Sequence, residues 1–419
     1  WSEVEHVVFL RSQASEPVST HSCRMRLIID TIGGESLALD VVPTASITEL
    51  QNLLEEIKAI APARQSILFG TEPLKTTLSD ILLGTEPLKA CSTLSDAGVQ
   101  DGARLTLVVS PPLVLTGSAD KTAKLWMAQT GECVMTFRGH EGSVNSADFS
   151  ADESVVVTAS DDKTAMLWST KTGESLKVLR GHDGPVMCAL LSIDDTLALT
   201  SSCDCTARLW STETGKCMYI LGGATGHIDT VTSAVFSPDH TSIVTASLDR
   251  TAKVWKAPWV ECSKTFLGHE AGVKYAVFSV DSAQVLTASL DDTARLWNAA
   301  TGACLQRFAG HMNNFLCHFG HHLGGVNCAV FSPDGQAVLI AGTDRTAKLM
   351  NMSSGADACI QSFEGHQGGV VSAKFAARGT EVITASGDAT AKLWNAATGE
   401  CIQTYRGHTL VMSSAVRSK

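Results

Sequence analysis

The chain has 419 residues, 44% of them hydrophobic, and a formal net charge of −11. That acidity excludes broad sequence-independent binding to nucleic acid, which needs a basic surface, and no apolar run reaches membrane-spanning length. The 13 cysteines, an odd number, do not read as a disulfide framework.

Residues 1–24 hold one apolar piece, Val7-Val8-Phe9-Leu10. It is short and follows acidic residues, which makes a poor signal peptide. With Trp1 in place of Met, this stretch reads as an extension, either disordered or foreign to the native product.

Residues 25–110 read as a small domain. Met25–Asp30 and Ser36–Val41 are strands about an Ile32-Gly33-Gly34-Glu35 turn. Apolar residues at Ile47, Leu50, Leu53, Leu54 and Ile57 lie on one helical face, with Ser46 as N-cap and Glu49 three residues on. Strands return at Ser66–Phe69 and Arg104–Val109. This ββαββ order, with Thr93-Leu94-Ser95-Asp96 before the last strand, resembles ubiquitin. The chain runs on through Ser110-Pro111-Pro112, so the resemblance implies a built-in docking module, not a conjugated modifier. Ile67–Lys75 is repeated, nearly unchanged, at Ile81–Lys89, within a duplication of 67–80 in 81–96. Only the second copy keeps the ubiquitin-like spacing from Leu88 to Val99, so one copy is surplus. The positions matching the usual docking patch are Ile32, Leu68 (or Leu82) and Val108; the alternative is ordinary half-buried sheet residues.

From residue 111 onward one pattern recurs. Asp120, Asp162, Asp204, Asp249, Asp291, Asp344 and Asp388 each stand two residues before a Thr-Ala pair. Trp126, Trp168, Trp210, Trp255, Trp297, Met350 and Trp394 close the seven copies at spacings of 42, 42, 45, 42, 53 and 44. In the unit from His140, strands are expected at Val144–Ser150, Glu153–Ser160, Thr164–Trp168 and Glu174–Leu179, with turn residues between them. Four short strands per period is the propeller-blade pattern. The Gly-His pairs at His140, His182, His227, His269, His311, His366 and His408, the Ser-x-Asp turn and the closing Trp resemble the WD-repeat (WD40) family. The Asp that usually follows the Trp is replaced by Met127, Ser169, Ser211, Lys256, Asn298, Asn351 and Asn395.

The expected fold is therefore mainly β: a seven-bladed WD40 propeller over 111–419, preceded by an α+β ubiquitin-like (β-grasp) domain. The array begins with a second strand at Leu113–Ser118 and ends with a first strand after His408. Residues 410–418 are thus expected to complete a blade with 113–137 and close the ring. The WD-repeat resemblance implies a structural hydrogen-bond network in each blade. Its members would be His140, Ser160, Asp162 and Trp168; His182, Ser202, Asp204 and Trp210; His227, Ser247, Asp249 and Trp255; His269, Ser289, Asp291 and Trp297; and His366, Ser386, Asp388 and Trp394. A His-Ser-Asp set invites a hydrolase reading, but sevenfold recurrence argues against a catalytic triad.

Function is expected where the copies disagree. His311–Gly325 lengthens one connection, offers Phe315 as a partner contact, and brings Cys317, His318, His321 and His322 close in sequence to Cys328. It is either a metal loop or a duplicated exposed loop, and no pair has the spacing of a known zinc module. Trp259 and Val260 replace a Thr-Gly turn, as a partner contact or as local packing. Cys133, Cys217, Cys262, Cys304, Cys359 and Cys401 recur at one position and are expected to be buried, reduced thiols, in an intracellular (cytoplasmic or nuclear) protein.

No catalytic residue, cofactor or resident metal is expected. The preferred reading is a non-catalytic scaffold, monomeric within a larger complex, binding proteins or peptides on the propeller faces. Residues 25–110 would face ubiquitin-pathway or proteasome partners. A ribosome-assembly factor using Asp96 or Asp101 toward a metal, a ciliary or centriolar scaffold, and a metal-dependent hydrolase stand as alternatives.

Overall fold

The computed structural model describes residues 25–31, 36–42, 44–58, 65–69, 95, 99–109, 111–257, 261–309, 325–352 and 359–418. The chain divides into two compact units, Trp1–Pro111 and Pro112–Lys419.

In the first unit, β1 (Met25–Thr31), β2 (Ser36–Val41), α1 (Ile47–Lys58), β3 (Gln65–Phe69) and β4 (Arg104–Val109) follow in chain order. The sheet order is β2-β1-β4-β3. β1 runs parallel to β4, and the other two pairings are antiparallel. The helix starts with a reciprocal capping box: Ser46 Oγ accepts from the Glu49 amide at 3.1 Å, and Glu49 Oε2 accepts from the Ser46 amide at 2.8 Å. Leu50, Leu53 and Leu54 turn inward onto Leu27, Ile29, Leu39, Val41 and Leu105. The strand beside β4 comes from the first copy of the duplicated segment, at Ile67–Phe69. The second copy apart from Ser95, and residues 1–24, lie outside the described residues.

The second unit is a seven-bladed propeller of seven four-stranded antiparallel sheets. In the first complete sheet, β8 (Val144–Phe149), β9 (Val155–Ser160), β10 (Thr164–Ser169) and β11 (Ser175–Arg180) run from the channel outward. The middle strands are buried almost throughout, whereas the outermost strand is mostly exposed. That gradient follows from stacking: a middle strand has a neighbouring sheet on each face. Seven apolar cores result, each shared by two adjacent sheets, and the last sheet shares one with the first. Burying one Trp in such a core contributes about 4–6 kcal/mol by area, against about 1 kcal/mol for a typical hydrogen bond. Apolar stacking therefore drives association of the sheets, and polar contacts set their geometry.

The sheet that closes the ring joins both ends of the array. Its inner strand is Met412–Arg417, paired antiparallel with β5 (Leu113–Ser118), which is followed by β6 (Thr122–Met127) and β7 (Cys133–Arg138). The Ser418 amide donates to the Leu113 carbonyl at 2.8 Å, and the Leu113 amide donates to Ser418 Oγ at 2.9 Å.

Candidate functional site

The recurrent polar residues meet as a directional hydrogen-bond chain. Trp168 Nε1–H donates to Thr158 Oγ1 at 2.8 Å, and the same hydroxyl lies 2.7 Å from His140 Nε2. His140 Nδ1 lies 2.7 Å from Asp162 Oδ2. An indole only donates and a carboxylate only accepts, so the proton order is fixed: Thr donates to Nε2, and Nδ1–H donates to Asp. Gly139 precedes the His because a Cβ there would sit 3.0 Å from the Trp168 ring, at a φ of +156°.

This geometry corrects the membership expected from sequence. The hydroxyl between Trp and His belongs to Thr158, not Ser160; Ser160 Oγ instead accepts from the Asp162 amide at 3.2 Å. Thr116, Thr200, Thr245, Thr287 and Thr384 occupy the same place in their sheets. Ser202, Ser247, Ser289 and Ser386 serve the turn as Ser160 does. The signal was present, since each Thr stands two residues before the Ser and so on the same strand face. Around the ring, His182, His227, His269, His366 and His408 bind Asp204, Asp249, Asp291, Asp388 and Asp120 at 2.7–2.9 Å. Trp210, Trp255, Trp297 and Trp394 donate as Trp168 does.

Burial pushes His140, His227, His366 and His408 below the usual imidazole value, outweighing the adjacent carboxylates. Burial would raise Asp162, but hydrogen bonds from Thr164 and His140 hold it below the usual carboxylate range. Asp388 is lowered to about 2 in the same way. The six threonine hydroxyls are fully buried and already bonded, so these sites have no room for a substrate.

One sheet lacks the chain. Ile340, Gly342 and Met350 stand where the others have Thr, Ser and Trp, and Ile340 and Met350 pack into a common core. Asp344 is retained, with Lys348 Nζ at 3.3 Å.

The inner strands line the central channel, and each carries a β-bulge after its first residue, as between Val144 and Ser146. A bulge re-aims a side chain out of the ladder. At the bulged position Asn145, Thr232 and Asn327 donate to the carbonyls of Val186, Val273 and Val370 in the next sheet, at 2.8–3.0 Å. Ser413 does the same to Val144. Lys374 Nζ pairs with Asp148 at 3.0 Å, reaching past the closing strand to the sheet beyond it. A cavity of about 380 Å³ occupies the channel between these residues, bordered by Lys274 and Tyr275.

The loops carrying the histidines and the turns carrying their aspartates lie on one face, here the upper face. The residue that opens each turn donates its amide to the residue leading into or starting near the inner strand, as Asp161 does to Ser143 at 2.9 Å and Cys203 to Pro185 at 2.9 Å. These seven residues ring the channel mouth: Ala119, Asp161, Cys203, Leu248, Leu290, Thr343 and Gly387. Three consecutive members are Cys203, Leu248 and Leu290. Leu248 lies over Gly272, where a Cβ would sit 2.7 Å from its Cδ2. Beside them Ile228 is 89% exposed, and Leu290 39%.

Several candidates from sequence fall outside the described residues: Ile32, Trp259, Val260, Phe315, Cys317, His318, His321 and His322, with Leu82 and Asp96. Cys328 is described and faces away from metal chemistry. It is buried on an inner strand, its Sγ donates to the Ala373 carbonyl at 3.5 Å, and burial pushes its thiol up. Among the described residues no cluster of three His, Cys, Asp or Glu could hold a metal. Leu68 and Val108 occupy adjacent strands, opposite Thr106 and Ser66. The Asp101 carboxylate accepts from the Arg26 amide at 2.6 Å. The recurrent cysteines are not buried: Cys133, Cys217, Cys304, Cys359 and Cys401 are exposed and Cys262 half-buried. They begin the outermost strand in six of the seven sheets, with Ser175 in that place in the other, and no neighbour covers that strand.

The WD40 family model, described as WD domain, G-beta repeat, matches residues 131–169, 173–211, 215–256, 260–298, 302–351 and 357–395. Each match runs from the outer strand of one sheet to the third strand of the next, so every repeat ties two blades together. WD repeat-containing protein 37 of Homo sapiens is 41% identical over 69 residues, 16% of this chain and 14% of that protein. Its Mus musculus counterpart is 43% identical over 60 residues, 14% of this chain and 12% of that protein. The aligned region thus spans 14% or less of the length of these curated relatives. With the family matching more than half of its residues and the Trp–Thr–His–Asp chain in six blades, this chain belongs to the WD40 repeat family.

Proposed function

We propose that the propeller is a non-catalytic docking platform for a protein or peptide segment, engaged at the upper channel mouth between Cys203 and Leu290. WD40 domains generally mediate protein–protein contacts. The observation that carries the reading is the contrast within each turn. Asp and Thr are kept for the hydrogen-bond chain, while the residue beside them varies, and three consecutive blades offer Cys203, Leu248 and Leu290. Ile228, next to a structural histidine yet 89% exposed, extends that apolar crescent. An exposed aliphatic cluster ringed by polar turns fits a partner's apolar anchor. Residues 25–110 form a second docking module in this reading, supported by the β2-β1-β4-β3 order and the single helix. Exposed thiols on the outer strands fit a reducing, intracellular compartment.

Affinity capture with mass spectrometry, comparing the intact chain with an Ile228→Glu/Leu290→Glu variant and a lower-face Ile193→Glu control, tests the assignment. The upper-face variant is expected to lose partners that the control keeps. Identical partner sets from all three would overturn it.

A further inference from the structure

Among the described residues, sixteen line the upper channel cavity of about 380 Å³; two of them are lysines and none is an aspartate or glutamate. In a chain of net charge −11, this lining carries cationic side chains without a carboxylate among them. The two lysines differ. Lys374 is neutralised by Asp148 at 3.0 Å. Lys274 makes no hydrogen bond or ion pair among the described residues, although it lines the same cavity.

Its position makes this informative. Lys274 occupies the bulged place from which Asn145, Thr232 and Asn327 stitch one sheet to the next. A short donor suffices for that bond, and Met187 and Val371 show that the position also accepts apolar side chains. A long cation is therefore not required by the fold. Half-buried without a carboxylate, it carries an unreturned desolvation cost. Burial lowers its pKa, whereas Asp148 overcomes burial at Lys374 and raises that one. The same lining holds further donors, Asn327 and Ser372, and the apolar Met187, Val371 and Leu190.

We propose that this cavity binds a small anionic group, a carboxylate or phosphate on a short carbon skeleton, with Lys274 as its counter-ion. The anion enters from the upper mouth, takes a charge-assisted hydrogen bond from Nζ and rests its carbon skeleton on the apolar wall. Either a free small acid or one acidic side chain of a bound segment supplies this chemistry. The site does not depend on the apolar rim, so it stands or falls separately from the docking surface.

The test uses the intact chain and calorimetric titration with three probes: inorganic phosphate, succinate, and a blocked Gly-Ala peptide with one central glutamate. At least one probe is expected to bind saturably at one equivalent. Lys274→Met should weaken that binding by at least about tenfold, with Lys274→Arg retaining it. Binding of phosphate or succinate assigns the site to a free anion; binding of the peptide alone assigns it to an acidic side chain. The lower-face variant Ile193→Glu should leave phosphate and succinate binding unchanged. Should circular dichroism show Lys274→Met misfolded, Lys274→Gln replaces it. No saturable binding of any probe, or equal affinity in the folded neutral variant, would sink the proposal.

Discussion

Thr158 holds the centre of its hydrogen-bond chain because its hydroxyl can accept and donate at once. Trp168 supplies only a proton, and the Nε2 of His140 only a lone pair, so the residue between them must do both. Thr158→Val keeps the shape and removes both partners, leaving the indole N–H and Nε2 buried and unpaired. The expected cost is about 2–5 kcal/mol, while Thr158→Ser should cost about 1 kcal/mol or less. Urea unfolding reads this as a lowered midpoint at unchanged slope. A Val variant as stable as the parent would remove the chain from any account of stability. At this scale the sequence was only partly legible. Asp and His stood out by chemistry, but a Thr among Val and Ala reads first as a good strand former. The recurrent cysteines misled for a related reason. Recurrence marks a place in the blade, and that place was the uncovered outer strand, beyond reach of the neighbouring sheets.

Among the sheets, the one with Ile340, Gly342 and Met350 shows that three polar roles were exchanged together. Keeping Thr after losing Trp would bury a hydroxyl with one partner fewer; Ile beside Met removes that demand. Met350→Trp alone is therefore expected to destabilise by about 1–3 kcal/mol, through overpacking and an indole N–H facing Ile340. Adding Ile340→Thr should recover about 1 kcal/mol of that loss, visible as a favourable coupling in a double-mutant cycle. Additive effects of the two changes would count against a concerted exchange. Strand number and sheet order were legible here because turn residues and the closing Trp punctuate every copy. The channel cavity was not. Asn145, Thr232, Lys274 and Asn327 follow a buried Val and look like the polar half of an alternating strand, until the bulge turns them inward.

Across the whole molecule the hydrogen-bond chains make stability depend on acidity with a definite sign. Folding holds four imidazoles below their ordinary 6.5, so the unfolded chain takes protons first as pH falls through that value. Their contribution is complete above about pH 7 and declines below about 6.5. The depressed aspartates act lower, contributing fully above their ordinary 3.8 and losing that contribution toward about 2, the value for Asp388. Unfolding midpoints measured at fixed ionic strength should be level above about pH 7, fall from about 6.5 and steepen below about 4. Stability that rose between pH 7 and pH 5 would contradict the neutral-histidine assignment. The seam between Leu113 and Ser418 carries a mechanical consequence. These paired residues are the two ends of the ring, so tension applied through the flanking chain loads their hydrogen bonds one after another. The strand Met412–Arg417 would peel from β5 as an unzipping edge, and the His408–Asp120 contact at 2.8 Å, at the far end of the seam, is the last to yield. The ring is thus compliant to force in one direction, and a pull on its ends would release one inner strand while leaving six sheets whole.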